Sequence, residues 1–108
     1  MDKFLDNKQY LIIRLVGNQY CTKTPSSKDT KLRFKYEKDN LYDHNAIKVY
    51  SIRDGNSIDL GYIEKGKNVY LKSLIKQKSV KYKMIIKKLE YDEIYYYIVF
   101  KFRHIANV

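Results

Sequence analysis

Residues 31–63 read KLRFKYEKDNLYDHNAIKVYSIRDGNSIDLGYI, and this stretch decides the fold. Apolar side chains recur at alternate positions over residues 31–38, again over residues 46–52, and a further apolar run covers residues 58–63. A period of two is typical of a strand that buries one face and exposes the other. The stretch therefore predicts three strands, of which the second and third pair antiparallel.

Two turns separate these strands. Residues 39–44 are rich in Asp and Asn, whose side chains bond the local backbone and tolerate unusual φ angles. Residues 54–56, Asp-Gly-Asn, are a common signal for a tight β-hairpin. Each segment is therefore expected to end one strand and to lead into the next.

The flanking sequence predicts three more strands and one helix. Residues 10–16 form an aliphatic run that stops at Gly17, residues 22–30 form a polar loop, and residues 80–91 and 93–103 form two further strands. Between residues 65 and 77 the period indicates a short amphipathic helix, with its apolar face on Val69, Tyr70, Leu74 and Ile75. About six strands and one helix predict a mainly β, small OB-like or SH3-like barrel.

Length and charge define the class of protein. The chain has 108 residues, which fits a single domain over residues 1–108 with one modest core. It carries 22 Lys and Arg against 12 Asp and Glu, a formal net charge of +10, with most of the excess in residues 61–108. This charge favours phosphate-bearing partners. A chain rich in Lys, Ile, Tyr and Asn is also what an AT-rich genome produces, so composition leaves both explanations open.

Residues with catalytic or metal-binding chemistry are few. Cys21 is the only cysteine and cannot form an intramolecular disulfide, which favours a reducing, cytoplasmic setting. We expect neither an export signal nor a membrane span, because no run approaches the ~18 apolar residues of a span. His44 and His104 lack the neighbours of a nucleophile–base pair and the spacing of metal ligands. The sequence therefore predicts no enzymatic activity, no metal and no cofactor.

Three motifs give the chain a family resemblance. They are VGNQY at residues 16–20, DNLYDHNAIKV at residues 39–49 and LGYI at residues 60–63. Their order and spacing resemble the HIRAN domain, a small β-rich module that is found fused to fork-remodelling helicase-like ATPases and as a stand-alone protein in bacteria and viruses. The resemblance extends from about residue 11 to residue 102, and YDHNAI at residues 42–47 is its most specific part.

The resemblance implies an OB-like barrel that captures the 3′ end of single-stranded DNA in a pocket. It assigns Tyr20 to stacking on a base, Tyr42 to the same pocket, and Asp43 to accepting a hydrogen bond from the free 3′-hydroxyl. Tyr62 falls where the family has Tyr or His, and Lys65 falls where a basic residue can reach a phosphate. The resemblance assigns the remaining motif residues, Gly17, Asn45, Ala46 and Gly61, to structural roles.

The chain departs from the family pattern at three positions within or next to the motifs. Leu41 replaces a proline, Gln19 stands at a nucleic-acid-binding position where DNA-binding members have arginine, and Cys21 stands where they have a second tyrosine. Losing a guanidinium removes a charge-assisted phosphate contact, and losing a ring removes a stacking face worth about 1–3 kcal/mol. We therefore expect end capture to be weakened or absent.

Judged by their own chemistry, the Asp, Asn and Tyr residues of these segments could also have purely structural roles. Asp43 and Asn45 could hold only their own turn, because Asx side chains in turns usually bond the local backbone. Tyr42 and Tyr62 fit either the edge of the core or a binding surface. The tyrosines at positions 95–97 alternate faces in a strand, and a structural role is their default interpretation.

The sequence predicts a stand-alone, non-catalytic module that binds single-stranded DNA or DNA 3′ ends, as in DNA repair or replication. It would act as a monomer or weak dimer, with a helicase or nuclease on a separate chain and no membrane partner. The alternative is a protein-interaction module, such as an inhibitor or adaptor encoded by a phage or mobile element, that has lost DNA-end binding. Both functions stay open at this point.

Overall fold

The computed structural model describes residues 10–76 and 80–102, which form six strands and one α-helix. The strands are β1 (Tyr10–Val16), β2 (Leu32–Glu37), β3 (Ala46–Arg53), β4 (Asn56–Ile63), β5 (Val80–Glu90) and β6 (Glu93–Phe102). The helix is α1 (Asn68–Lys76), and a 3₁₀ turn covers Asn18–Tyr20. The predicted strand end at Arg103 and the residue His104 lie outside the described residues. Within the described ranges, no helix is long and apolar enough to cross a membrane.

All six strands pair antiparallel in one sheet of order β2-β3-β4-β1-β6-β5. The sheet curls without closing, because β2 and β5 form its two edges. Inside the curl, the ring of Phe34 on β2 lies 5.8 Å from the ring of Phe100 on β6. The predicted mainly β, OB-like barrel with one short helix is confirmed.

Alternation places one face of each strand in the core. On β3, Ile47, Val49 and Ser51 are buried as predicted, while Lys48 and Tyr50 between them are half-buried on the opposite face. The buried core cluster consists of Ile13, Leu15, Leu32, Ile47, Val49, Leu60, Ile63, Leu71, Ile85, Tyr96, Ile98, Phe100 and Phe102. Every strand contributes to it, so the core fixes which side chains of β3 and β4 point outward.

Helix α1 buries a different face from the predicted one. Val69 and Tyr70 are 60% and 51% exposed, whereas Leu71 is fully buried and Ile75 packs against the core. The expectation that Val69 and Tyr70 face the core is wrong. Leu71 and Ile75 are four residues apart, so they stand one turn apart on the inner face of the helix.

The hairpins β3–β4 and β5–β6 each have a two-residue turn with positive φ at both central positions. The turn between β3 and β4 has φ of 51° at Asp54 and 81° at Gly55. The turn between β5 and β6 has φ of 51° at Tyr91 and 62° at Asp92. This is type I′ geometry, whose twist matches that of the paired strands. The hairpin predicted at residues 54–56 is confirmed.

The close approach of β4 to β1 requires glycine at position 61. The φ of Gly61 is 134°, and a Cβ there would lie 2.5 Å from the carbonyl oxygen of Val16 and 3.3 Å from the amide nitrogen of Asn18. Only a residue without a side chain fits this space and this φ. The approach sets the 3₁₀ turn beside β4 and so forms one wall of the site described below.

A buried carboxylate fastens the loop of residues 22–31 to β3. Asp29 is 3% exposed and accepts hydrogen bonds from Ser51 Oγ (2.9 Å), Arg53 Nε (2.7 Å) and the Ser26 N–H (2.9 Å). Burial raises the pKa of Asp29, but the hydrogen bonds from Arg53, Ser51 and Ser26 and the charge of Arg53 together hold it below its ordinary value. A lowered pKa stabilises the fold above the ordinary Asp range, and this stability is lost as pH falls through the folded-state pKa.

Asp29→Asn should therefore lower the free energy of unfolding by about 2–3 kcal/mol at neutral pH, because the Arg53 guanidinium loses its charged partner. The difference from the unmodified protein should shrink as the pH is lowered from neutral to below the ordinary Asp range, because Asp29 itself becomes protonated as the pH falls through its lowered folded-state pKa. Urea unfolding across this pH range measures both effects. Asp92→Asn, in an exposed turn, is the matched control and should change stability little. A loss of equal size at every pH would show that the charge of Asp29 does not matter.

Candidate functional site

A cleft of about 690 Å³ lies on the face of β3 and β4 that is turned away from the core. Its floor includes Lys48 and Tyr62, which stand directly opposite each other in the antiparallel pair. The 3₁₀ turn forms one wall, and the turn of residues 39–45 forms another. The lining residues are Val16, Gly17, Tyr20, Cys21, Asn40, Tyr42, Asp43, Ala46, Lys48, Asp59, Gly61, Tyr62 and Lys65.

The cleft collects most of the residues that the sequence singled out. Of the predicted nucleic-acid-binding residues, it brings together Tyr20, Tyr42, Asp43, Tyr62 and Lys65. Of the predicted structural positions, it includes Gly17, Ala46 and Gly61. Gln19 and Asn45 are exposed and do not line it.

Two aromatic rings stand at the rim with their faces accessible. Tyr20 is 86% exposed and Tyr42 is 91% exposed, so neither ring belongs to the edge of the core. Tyr20 is carried by the 3₁₀ turn, where its N–H donates to the Gly17 carbonyl oxygen at 3.1 Å. Gly17 adopts a φ of 72°, which lets the chain turn sharply out of β1. Exposed rings on fixed backbone are the kind of surface on which a base can stack.

Asn40 organises the turn that carries Tyr42 and Asp43. Its side-chain oxygen accepts hydrogen bonds from the N–H groups of Tyr42 (2.9 Å) and Asp43 (3.0 Å). Its side-chain nitrogen donates to Glu37 Oε1 at 3.1 Å, which fixes the orientation of the amide. The turn is therefore held by side-chain hydrogen bonds, although Leu41 stands where the family pattern has the more rigid proline.

The carboxylate of Asp43 joins its own turn to helix α1. Its Oδ1 accepts the N–H of Asn45 at 2.9 Å, and its Oδ2 accepts Nδ2 of Asn68 at 2.8 Å. Asn68 is 3% exposed and begins the helix. Asp43 thus has a structural role, as the residue chemistry allowed. Each carboxylate oxygen has a second acceptor position, so the half-buried group can also accept a donor from a ligand in the cleft.

Glu37 links the floor of the cleft to the turn. Its Oε1 accepts the hydroxyl of Tyr62 at 2.8 Å, and its Oε2 lies 3.5 Å from Lys48 Nζ. Lys48 Nζ lies equally close, 3.5 Å, to Asp59 Oδ2. The ammonium group on the cleft floor is therefore shared between two carboxylates, and a phosphate would have to compete with both.

This network shifts three pKa values. Burial raises the pKa of Glu37, but hydrogen bonds from Tyr62 and Asn40 and the charge of Lys48 bring it below its ordinary value. Burial, followed by the hydrogen bond to Glu37, raises the pKa of Tyr62. Burial lowers the pKa of Lys48, but Asp59, Tyr62 and Glu37 together raise it above its ordinary value. At neutral pH the network therefore holds an ionised carboxylate, a neutral phenol and an ammonium group.

Sequence reasoning missed Glu37, Asn40, Lys48 and Asn68 as parts of the site. Glu37 and Lys48 lie on the outward face of β2 and β3, so the alternation pattern could have placed them beside Tyr62. Asn68 had no such signal, because its contact with Asp43 joins a helix to a distant turn. Cys21 lines the cleft, where burial and the charge of Asp59 raise the pKa of its thiol.

The tyrosine run at residues 95–97 is not part of the cleft. Tyr96 is buried in the core. The hydroxyl groups of Tyr95 and Tyr97 donate to Glu93 Oε2 (2.7 Å) and Glu90 Oε1 (3.2 Å). Among the residues that the structure describes, no group of three or more His, Cys, Asp or Glu side chains is placed to hold a metal ion.

Comparison with known proteins identifies relatives of this fold. The family model of the HIRAN domain matches residues 8–102. The crystal structure of the HIRAN domain of human HLTF superposes with a TM-score of 0.58 at 20% identity, covering 84% of this chain and 74% of that chain. A structure of a Lactobacillus plantarum protein superposes with a TM-score of 0.53 at 20% identity, covering 88% of this chain and 95% of that chain. No curated protein matches the sequence. At 20% identity, the two superpositions show a shared fold and nothing more specific.

Asn40→Ala should loosen the turn, because the N–H groups of Tyr42 and Asp43 lose their acceptor and Glu37 Oε1 loses one of its two donors. The expected loss in free energy of unfolding is about 1–3 kcal/mol. Asn45→Ala is the matched control in the same turn: its side chain is exposed, so stability should be nearly unchanged. Thermal and urea unfolding compare the two variants, and equal effects would contradict the role given to Asn40.

Proposed function

The chain belongs to the HIRAN domain family, and we propose that it is a non-catalytic module that binds single-stranded DNA and captures its 3′-hydroxyl end in the cleft. Family membership and the OB-like fold support the general part, a DNA-binding module. The observation that carries the finer part is the meeting of Tyr20, Tyr42, Asp43 and Lys65 in one cleft. Together they offer stacking faces, a hydroxyl acceptor and a cation.

Stacking supplies affinity without sequence preference. Every base has a π-face, and stacking on an aromatic side chain contributes about 1–3 kcal/mol per base. Tyr20 and Tyr42 stand on different walls of the cleft with most of their surface exposed. Cys21 offers no second ring beside Tyr20, so binding would depend on these two tyrosines.

A cation at the mouth of the cleft would hold the strand's backbone. Lys65 lines the cleft and is exposed. In the described part of the chain, no carboxylate oxygen lies within 4.0 Å of its ammonium group. Lys65 is thus available to a phosphate, in contrast to Lys48, which two carboxylates already hold. Gln19 is exposed outside the cleft and adds no charge.

Asp43 supplies discrimination between strand ends. A terminal 3′-hydroxyl can donate to the acceptor position that Asn45 and Asn68 leave free. A 3′-phosphate has no such donor when fully ionised, and its charge would be repelled by the carboxylate. A helicase or nuclease on a separate chain, predicted from the sequence, stays a prediction.

Tyr42→Ala should weaken binding of a short 3′-hydroxyl oligothymidine by about 1–3 kcal/mol, which is about 5- to 150-fold. The matched control is Tyr91→Ala, because Tyr91 is 93% exposed but lies outside the cleft. Fluorescence anisotropy at constant salt measures both affinities. If the two variants lose affinity equally, the cleft is not where the bases stack.

Oligonucleotides that end in a 3′-hydroxyl should bind about tenfold or more tightly than the same strands ending in a 3′-phosphate, because a carboxylate makes a strong, charge-assisted hydrogen bond. Asp43→Asn keeps an oxygen that can accept the Asn45 N–H, and it should remove most of this preference. Anisotropy with paired oligonucleotides gives the ratio, and thermal unfolding confirms that the variant is folded. Equal binding of both ends by the unmodified protein would overturn end capture, while general single-strand binding could still hold.

A further inference from the structure

The sheet leaves β5 with an open edge. In the described part of the chain β5 pairs with β6 on one side and with no strand on the other. An edge strand presents outward-pointing N–H and C=O groups, which an added strand can pair with. The cleft has no lining residue on β5, and it shares none with the groove along this edge.

A groove runs along this edge. It has a volume of about 450 Å³ and is lined by residues 84–87 of β5, by residues 24–27 of the loop opposite, and by Tyr96. The loop wall is fixed, because the Ser26 N–H donates to the buried Asp29, which Arg53 and Ser51 also hold. The groove is therefore a preformed slot between a strand edge and an anchored loop.

Lys87 lines the groove, and Lys83 precedes the groove residues of β5 in the chain. Lys83, beside the groove, is half-buried with its Nζ 5.5 Å from the centre of the Phe34 ring. Burial lowers the pKa of Lys83, and the nearby charge of Arg33 lowers it further. Over the described ranges, no carboxylate oxygen lies within 4.0 Å of Lys83, Arg33 or Lys87. An acidic occupant would supply the missing partners.

We propose that the open edge of β5 binds an extended acidic peptide segment of a partner protein, which adds a strand beside residues 83–87. Main-chain hydrogen bonds would supply affinity, and alternate side chains would supply specificity. A phosphate backbone only accepts hydrogen bonds and would leave the edge carbonyl groups unpaired, so a polypeptide fits better than a nucleic acid. A second copy fits poorly, because antiparallel pairing of two β5 strands would bring their lysines together.

The test uses the full chain and a synthetic peptide of alternating Glu and Val, eight residues long. Two control peptides replace Glu by Lys, or the two central Val by Pro, which removes backbone donors. Backbone amide NMR spectra should shift at Thr24, Ser26 and Ser27 and at residues 83–88 with the acidic peptide and not with either control. Lys83→Glu should weaken binding about tenfold or more. Lys38→Glu, an equal charge change in an exposed turn, should not.

Each other result overturns the proposal. Shifts confined to the cleft residues 40–43 and 62 would mean that the peptide only occupies the cleft. If the Pro peptide binds as tightly as the acidic peptide, strand addition is excluded. If oligothymidine shifts the β5 signals and the acidic peptide does not, the edge binds nucleic acid. A dimer through β5 in sedimentation without peptide would assign it to a second copy. The outcome is independent of the proposed DNA binding, because DNA binding would be detected separately in the same spectra, as shifts of the cleft residues.

Discussion

The cleft depends on the pairing of β3 with β4, in which Lys48 stands opposite Tyr62. Strand side chains alternate between two faces, so Ile47 and Val49 of β3 point into the core and Lys48 points outward. On β4 the pairing with β3 skips Leu60, and this irregularity lets Leu60 point into the core while Tyr62, two residues later, lines the cleft. A slip of one residue would exchange the faces and destroy both core and cleft. The type I′ turn at residues 54 and 55 and the glycine at position 61 fix that register from both ends.

The cleft itself is not where the net charge of the chain acts. Lys48 lies between Glu37 and Asp59, and Asp43 lines the cleft together with Lys65, so three carboxylates offset the two cations and the site has no local excess of positive charge. In the proposed function, the formal charge of +10 would therefore act as a long-range attraction that is independent of sequence. Recognition at short range would then depend on the rings and the hydroxyl acceptor, whose contacts salt screens much less than it screens exposed charges.

The sequence predicts the strands well because their information is local. Alternation and turn residues place β1 to β6, and the motif residues Tyr20, Tyr42, Asp43 and Tyr62 do meet in one cleft. The buried face of α1 is mispredicted because Val69 and Tyr70 are apolar but exposed, whereas Leu71 and Ile75, four residues apart, face the core. The bond from Asn68 to Asp43 joins residues far apart in sequence, and no local pattern encodes such a contact.

The strand order also leaves the edge of β5 free to pair with an added strand. In an open sheet of order β2-β3-β4-β1-β6-β5, the cleft lies over β3 and β4 while the β5 edge lies beyond β1 and β6. A strand added at β5 would extend the sheet along its own edge and need not displace any cleft residue. An edge rich in lysine resists pairing with a copy of itself and still accepts an acidic strand. The architecture is therefore compatible with one chain holding a nucleic-acid end and a protein partner at the same time.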